Sequence, residues 1–219
     1  MLPGLNYEIF RQRCAALMRR DINTGDDGEY RVTSLYFDDM HRSSYNEKLL
    51  GVMKRRKYRI RVYNLSPDRI TLEAKYKDGS LVRKSSTALS MDEYRAILQG
   101  DFTFCLSRPE LTDFYTYART ANVKPSAITD YYREAFVADA GNVRITFDKR
   151  LSAGLGTADI FKAEYTRLTD NVVLEIKYDD FLPSYIQELF SGFPLMAEPV
   201  SKYVLCANKF SEVNKRCAI

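Results

Sequence analysis

The sequence has few of the side chains on which most catalytic triads and metal sites are built. His41 is the only histidine, and tryptophan is absent from the 219 residues. A Ser-His-Asp triad and a histidine-based metal site are therefore nearly excluded, and any metal would be held by carboxylates. The four cysteines show no C-x-x-C spacing, so we expect buried free thiols at Cys14, Cys105, Cys206 and Cys217.

Long apolar runs are also lacking. No segment approaches the ~20 apolar residues of a membrane span, and MLPGLNYEIF has neither region of a signal peptide. We therefore expect a cytoplasmic protein without a membrane span. The hydrophobic content of 45% is enough for one sizeable core, which predicts a single domain over residues 1–219. The net charge of +4 is only mildly basic, so the positions of the cations matter more than their number.

The cations concentrate in segments that alternate as strands do. In KRRKYRIRVYN, residues 54–64, strand geometry places Lys57, Arg59 and Arg61 on one face. The apolar Tyr58 and Ile60 lie on the opposite face. Residues 69–77, 143–150 and 171–179 repeat this division into a charged and an apolar face.

Periodicity and turn residues predict the remaining elements. Ser90 is placed to cap a helix, with Glu93 as its capping-box partner. Gly154 and Gly156 indicate a loop. Further strands are expected at 30–37, 80–87 and 127–137, and helices at 7–20, 44–50, 111–117, 183–190 and 201–210.

A half-exposed sheet would also alternate, with its charges in water. However, there are enough strands to close a barrel, and the intervening helices would cover its apolar side. The expected fold is therefore an α+β antiparallel barrel with helices packed outside and polar side chains in the lumen. The lumen cations would be Lys57, Arg59, Arg61, Lys75, Lys84, Arg133, Arg144 and Lys177.

So many convergent cations need a partner. Two like charges 4 Å apart repel by ~1 kcal/mol in water and ~4 kcal/mol at an effective dielectric constant near 20. Water and a polyanion would relieve this repulsion, and a mixture of Arg and Lys suits a chain of phosphates. A nucleic acid is not expected, because no exposed basic helix or aromatic stacking motif stands out.

Two glutamates share the charged faces. Glu73 and Glu175 each lie two residues before a lysine, in L-E-A-K and L-E-I-K. Each carboxylate would either form an ion pair that orients a neighbouring lysine or hold a divalent cation. Mg²⁺ and Mn²⁺ need only one or two protein carboxylates when substrate phosphates complete the shell.

Seven motifs make a family resemblance specific. In order they are SLYFDD, KYRIRVY, LEAK, YYREAF, VRITFD, LEIKYD and SKYV, within residues 34–204. The chain resembles VTC domains, the catalytic domains of vacuolar transporter chaperone polyphosphate polymerases and their bacterial relatives. These belong to the triphosphate tunnel metalloenzymes, so the resemblance implies an eight-stranded antiparallel barrel around a basic tunnel.

The resemblance also implies roles for individual residues. Arg59, Arg61 and Lys75 would hold the transferred phosphoryl group, and Glu175, with Glu73, would hold Mn²⁺ or Mg²⁺. The expected partners are ATP or another triphosphate and inorganic polyphosphate. The other substrate-binding residues would be Lys84, Tyr131, Arg133, Arg144, Lys177, Ser201 and Lys202.

The sequence departs from the family pattern at its start. Relatives usually begin with a strand of the type R-H-E-x-K-Y, and no such segment precedes MLPGLNYEIF. We therefore expect an open barrel edge that a partner chain or a second copy would cover.

Three activities fit these expectations. The first is a polyphosphate polymerase that transfers the γ-phosphoryl group of ATP to a growing chain. The same tunnel would serve a triphosphatase that uses water as the nucleophile. The third is a polyanion-binding module without turnover.

Overall fold

The structure, a computed structural model, describes residues 1–193 and 195–216. The helices are α1 Gly4–Leu17, α2 Ser43–Leu49, α3 Met91–Leu98, α4 Thr112–Thr120, α5 Ser184–Glu188 and α6 Lys202–Arg216. The strands are β1 Arg19–Arg20, β2 Tyr30–Asp38, β3 Lys54–Tyr63, β4 Ile70–Asp78, β5 Leu81–Leu89, β6 Lys124–Ala138, β7 Val143–Leu155, β8 Glu164–Arg167 and β9 Val173–Lys177. Short 3₁₀ turns cover Thr103–Ser107, Pro109–Leu111 and Ala140–Asn142.

The strands form one sheet. Its order is β5-β4-β3-β2-β6-β7-β8, with β1 paired to β6 and β9 paired to β7. The predicted α+β class, with antiparallel strands and helices outside, is confirmed. The resemblance implied nominally eight strands with the first one missing, whereas the described residues form nine strands. Over the same residues the hydrogen-bonded path is open, as expected, and ends at β5 and β8. Strands as short as β1 and β8 show too little alternation to be predicted.

Contact density divides the chain into two compact units, which are described separately. The first unit contains Met1–Arg31, Tyr131–Ser152 and Arg167–Ser201. The second unit contains Val32–Asp130, Ala153–Thr166 and the segment that starts at Lys202. That the chain folds as a single domain stays a prediction.

In the second unit, the apolar faces of β3 and β4 lie against helices. Tyr58 and Ile60 of β3 and Leu72 of β4 are buried in one cluster with Tyr94 of α3 and Phe114 of α4. Because successive strand side chains alternate, this packing leaves the opposite face of both strands to the charged residues. The predicted division of faces is confirmed for these strands.

In the first unit, α1 covers the apolar face of β7. Phe10 and Cys14 of α1 are fully buried in a cluster with Ile145 and Phe147 of β7. Tyr7 packs edge-on against Phe147, with 5.3 Å between the ring centroids. Polar residues of β7, including Thr146 and Asp148, are buried on the other side of this strand.

Three of the cysteines are buried free thiols, as predicted: Cys14, Cys105 and Cys206. Burial raises the pKa of Cys14 to about 12, so its thiol stays protonated at neutral pH. Cys217 lies outside the described residues.

Two predicted boundaries are wrong for identifiable reasons. The first helix ends at Leu17, because Met18 is extended (φ −127°, ψ 155°) and leads into β1. Gly154 belongs to β7 and not to a loop. A Cβ atom at Gly154 would lie 2.8 Å from Cβ of Ile128, so close packing requires glycine there.

The predicted capping box at the start of α3 is present. The Ser90 hydroxyl accepts the Glu93 backbone N–H at 3.1 Å, and the Glu93 carboxylate accepts the Ser90 N–H at 2.7 Å. We expect S90A to lower the free energy of unfolding by about 1 kcal/mol, because the backbone N–H of Glu93 loses its acceptor. Urea denaturation measures this change.

The matched control is S85A, which removes the hydroxyl of an exposed serine on β5 of the same unit. Its unfolding free energy should stay within about 0.5 kcal/mol of the wild-type value. Equal losses in S90A and S85A would contradict a specific capping effect.

Candidate functional site

A row of lysines crosses three strands of the second unit. The register places Lys57 of β3 opposite Lys75 of β4, and Lys75 opposite Lys84 of β5. Like charges directly opposite each other destabilise a sheet. The row is therefore an arrangement that an anion on this face would stabilise.

The next row contains an arginine pair around a carboxylate. Arg59 lies opposite Glu73 and bonds it through Nε at 2.8 Å and through NH2 at 2.7 Å. Arg61 reaches the other oxygen of Glu73 at 3.4 Å. Glu73 thus holds both guanidinium groups on one face. This arrangement favours the ion-pair interpretation of Glu73, and its role as a metal ligand stays a prediction.

β2 supplies two further contacts to the arginine pair. Arg59 donates to the hydroxyl of Tyr36 at 2.7 Å, and Arg61 donates to Ser34 at 3.4 Å. Burial opposes ionisation of Tyr36, but Arg59, Arg61 and Lys202 together lower its pKa. The sequence prediction missed Ser34 and Tyr36, although their spacing by two residues places them on one face of the strand.

Lys57 is half-buried. Its Nζ lies 4.8 Å from the ring centroid of Tyr203, and Tyr203 donates to Asp38 at 2.5 Å. Burial and the nearby cations Lys48, Arg55 and Lys75 lower the pKa of Lys57 to about 8. The charged state of Lys57 is therefore costly in the free protein, and a bound anion would stabilise it.

The two aspartates of SLYFDD organise the backbone that follows β2. Asp38 accepts the backbone N–H groups of Ser44 at 2.8 Å and Tyr45 at 3.0 Å, in the first turn of α2. Asp39 accepts those of His41 and Ser43, both at 2.9 Å. These carboxylates have a structural role, since they satisfy donors at a helix N-terminus.

In the first unit, Arg133 of β6 is held by a buried carboxylate. Its Nε and NH2 groups donate to the two oxygens of Asp148 at 2.6 and 2.8 Å. The Asp148 side chain is fully buried, whereas that of Arg133 is 12% exposed. Burial disfavours the charged form, yet the bonds to Asp148 hold the pKa of Arg133 above its ordinary value. Arg133 also lies over the ring of Tyr131, with 5.3 Å to the centroid.

Arg144 and Lys177 are partners across β7 and β9. Arg144 bonds Asp21 at 2.8 Å and Tyr30 at 3.2 Å. The Lys177 ammonium lies 3.1 Å from the carboxylate of Glu175. The first unit therefore brings together Arg133, Arg144, Tyr131, Glu175 and Lys177, each with at least one polar or aromatic neighbour.

Glu175 has suitable chemistry for a divalent metal. Its side chain is 41% exposed, and its partner across the strands is Thr146. The buried hydroxyl of Thr146 has no hydrogen-bond partner among the described residues. A carboxylate beside an unsatisfied hydroxyl offers hard oxygen ligands, which Mg²⁺ and Mn²⁺ prefer. Because Glu175 also pairs with Lys177 at 3.1 Å, its role as a metal ligand, like that of Glu73, stays a prediction.

Four predicted residues are more exposed or lie at the start of a helix. Lys75 and Lys84 are exposed on their strands. Lys202 is the first residue of α6, and Ser201 immediately precedes that helix. The sequence prediction missed the partners of the arginines, namely Tyr36, Asp148 and Asp21. Asp148 alternates with Arg144 in VRITFD, so its position on the charged face could have been inferred.

The arrangement agrees with a comparison against protein families, in which the model of the VTC domain matches residues 5–210. The chain belongs to the VTC domain family. Comparison of this VTC domain with curated proteins gives no match.

Solved structures share the fold of this VTC domain. A putative adenylate cyclase from Bacillus halodurans is 14% identical with a TM-score of 0.54, over 89% of this chain and 88% of that chain. A putative adenylyl cyclase from Hippeastrum, described as having a dominant triphosphatase activity, is 13% identical with a TM-score of 0.56. That match covers 95% of this chain and 93% of the other.

Within residues 1–193 and 195–216, no helix has the length and apolar character needed to cross a bilayer.

Proposed function

We propose that this VTC domain is a polyphosphate polymerase that transfers the γ-phosphoryl group of ATP to a growing polyphosphate chain. The observation that carries the proposal is the row Lys57, Lys75 and Lys84 beside the pair Arg59 and Arg61. Such a dense cationic face suits a substrate and a product that are both chains of phosphates.

The reaction requires neutralisation of charge more than acid-base chemistry. An oxygen of the terminal phosphate of the chain attacks the γ-phosphorus, and the bond from that phosphorus to the bridging oxygen breaks. ADP leaves with the electron pair. The attacking oxygen is already anionic, so no general base is needed. Arg59, Arg61 and Lys75 stabilise the charge on the transferred group, as arginine and lysine do in other phosphoryl transfers.

The fixed orientation of the arginines is part of this mechanism. Glu73 holds Arg59 at 2.7 Å and Arg61 at 3.4 Å, and Tyr36 and Ser34 restrain the same two side chains. Donors that are already oriented need little reorganisation when charge develops.

Glu175, with the Thr146 hydroxyl, would hold the divalent metal. When bound, Mn²⁺ or Mg²⁺ neutralises phosphate charge and orients the phosphates. The resemblance implies that further residues contact the phosphates of the substrate or product. They are Lys84, Tyr131, Arg133, Arg144, Lys177, Ser201 and Lys202.

A triphosphatase is the second candidate. The Hippeastrum protein of similar fold, which has a dominant triphosphatase activity, is the observation that favours it. The same cations would stabilise the transferred phosphoryl group while water replaces the polyphosphate chain as the nucleophile.

One experiment separates the candidates. The protein is incubated with ATP and Mn²⁺ or Mg²⁺, and the products are resolved on a gel and assayed for free phosphate. We expect a ladder of polyphosphate, and we expect E175Q to abolish it. Free phosphate without a ladder would favour the triphosphatase. Tight binding of triphosphate without turnover would indicate a binding module.

Binding of inorganic triphosphate should depend on the charge of Lys57. Its pKa is lowered from 10.5 to about 8, so the side chain is a cation below that pH and neutral above it. Anion binding favours the cation, and affinity is therefore expected to fall about tenfold as the pH rises from about 7 to about 9. Titration calorimetry at both pH values measures the change.

The control is K57R, which stays charged over this whole range. We expect its affinity to change little between the two pH values. A fall in K57R as large as that in the wild type would assign the pH dependence to another group.

A further inference from the structure

Exposed apolar side chains cluster where the β4–β5 turn meets the segment that follows α2. Leu50 is 79% exposed, Met53 67% and Leu81 75%. Isolated exposed leucines are ordinary, but a cluster on adjoining loops indicates an interaction site. We call this cluster the tip surface, and its apolar members are Leu49, Leu50, Val52, Met53, Leu81 and Val82.

Backbone contacts join the two segments. Gly79 donates its N–H to the carbonyl of Met53 at 3.3 Å, and its φ of 59° allows the tight turn after β4. Lys54 lies opposite Asp78, which lies opposite Leu81. The apolar residues of both segments therefore belong to one continuous surface.

Cations surround the tip surface. They line a cleft of about 410 Å³ whose cationic members are Lys54, Arg55, Arg56, Lys77 and Arg83. Only Glu47 and Asp78 oppose them in that cleft. Burial lowers the pKa of Lys48, and the nearby cations Arg55 and Lys77 lower it further.

Three of these cations, Lys54, Arg56 and Arg83, lie on the opposite face of the sheet from the phosphate-binding rows, whereas Arg55 and Lys77 continue those rows. Alternation puts Lys54 and Arg56 on the face of β3 opposite to Arg59 and Arg61. Arg83 lies opposite Tyr76, one residue away from the Lys84–Lys75 pair. A soluble polyphosphate is also fully polar, so contact with six exposed apolar side chains would not stabilise its binding.

We propose that the tip surface docks this protein onto a membrane that contains anionic lipids. The apolar side chains enter the boundary between headgroups and acyl chains, and the surrounding Lys and Arg side chains contact anionic headgroups. Charge complementarity selects this partner over a neutral membrane. The proposal is independent of the polymerase activity.

Vesicle co-sedimentation of the full chain tests the proposal. We expect binding to phosphatidylcholine vesicles that contain about 30% phosphatidylserine, weak binding to phosphatidylcholine alone, and release at about 0.5 M salt. L50S/M53S should lower the bound fraction at least several-fold. K54Q/R83Q should weaken the partition by about fivefold for each charge removed.

Matched controls separate the tip surface from general exposure. Leu106 is 69% exposed in another part of the second unit, and L106S should bind as the wild type does. R119Q, at an exposed arginine of α4, serves as the charge control. Triphosphate affinity should be unchanged in L50S/M53S, which shows that the fold and the phosphate site are intact.

Three results would overturn the proposal. The first is no binding to anionic vesicles at low salt. The second is undiminished vesicle binding by L50S/M53S, which would leave a purely electrostatic polyanion surface. The third is a concentration-dependent dimer that L50S/M53S abolishes, since the tip surface would then join two copies of the chain.

Discussion

Replacement of Arg61 by methionine is expected to lower turnover of ATP by about 100- to 1,000-fold, the usual cost of removing an oriented charge stabiliser. The Arg61 side chain is only 12% exposed, and its guanidinium group is held on the charged face by Glu73 and Ser34. Methionine retains much of the aliphatic part of the side chain but lacks the planar guanidinium group that would bind phosphate oxygens. Steady-state kcat with ATP measures the effect.

The fold should survive this change. Glu73 remains paired with Arg59 at 2.7 Å, so R61M does not leave the carboxylate without a cation. The matched control is R95M, whose side chain is 65% exposed on α3 and should leave kcat unchanged. R61K should retain part of the activity, because lysine supplies the charge without the planar fork. If R61M turned over ATP within about threefold of the wild type, Arg61 would have no role in charge stabilisation.

The largest effect on stability is expected from Asp148. D148A removes both acceptors of Arg133, at 2.6 and 2.8 Å, and leaves a guanidinium group that is only 12% exposed without its carboxylate. Breaking a buried pair in this way costs about 3–5 kcal/mol. We therefore expect a loss of that size in the free energy of unfolding, measured by denaturant titration.

A double variant separates the ion pair from its packing. R133M/D148L replaces both charges by apolar side chains of similar size, and it should recover most of the stability that D148A loses. A double variant as unstable as D148A would show that shape at these positions, and not the unpaired charge, sets the cost. The same variant tests the proposed phosphate contact of Arg133, since stability would be restored while polyphosphate affinity falls.

Local patterns predicted the parts of this fold that depend on near neighbours. Alternation in residues 54–64 and 69–77 depends only on strand geometry, so the faces of β3 and β4 followed from it. The capping box of Ser90 and Glu93 spans three residues, and the structure contains it. The two-residue β1 and the four-residue β8 were not predicted, because segments of that length have no recognisable period.

Local patterns could not predict which side chains contact the residues of the candidate site. Glu73 bonds an arginine 14 residues away, and Arg133 bonds a carboxylate 15 residues away on another strand. Which residues face each other depends on the register between strands, and one residue of slip would exchange the two faces. The close approach of Gly154 to Ile128 is a further long-range contact.

The sequence by itself determined the alternating charged strands, the order of the family motifs and the identity of the cations available for phosphate. These follow from residue type and from spacing along the chain. Only the tertiary structure decided that Lys57, Lys75 and Lys84 form one row, that Glu73 holds the arginine pair, and that Asp148 neutralises Arg133. The physical reason is that charge-charge interactions and burial depend on distances between strands, which the sheet register fixes.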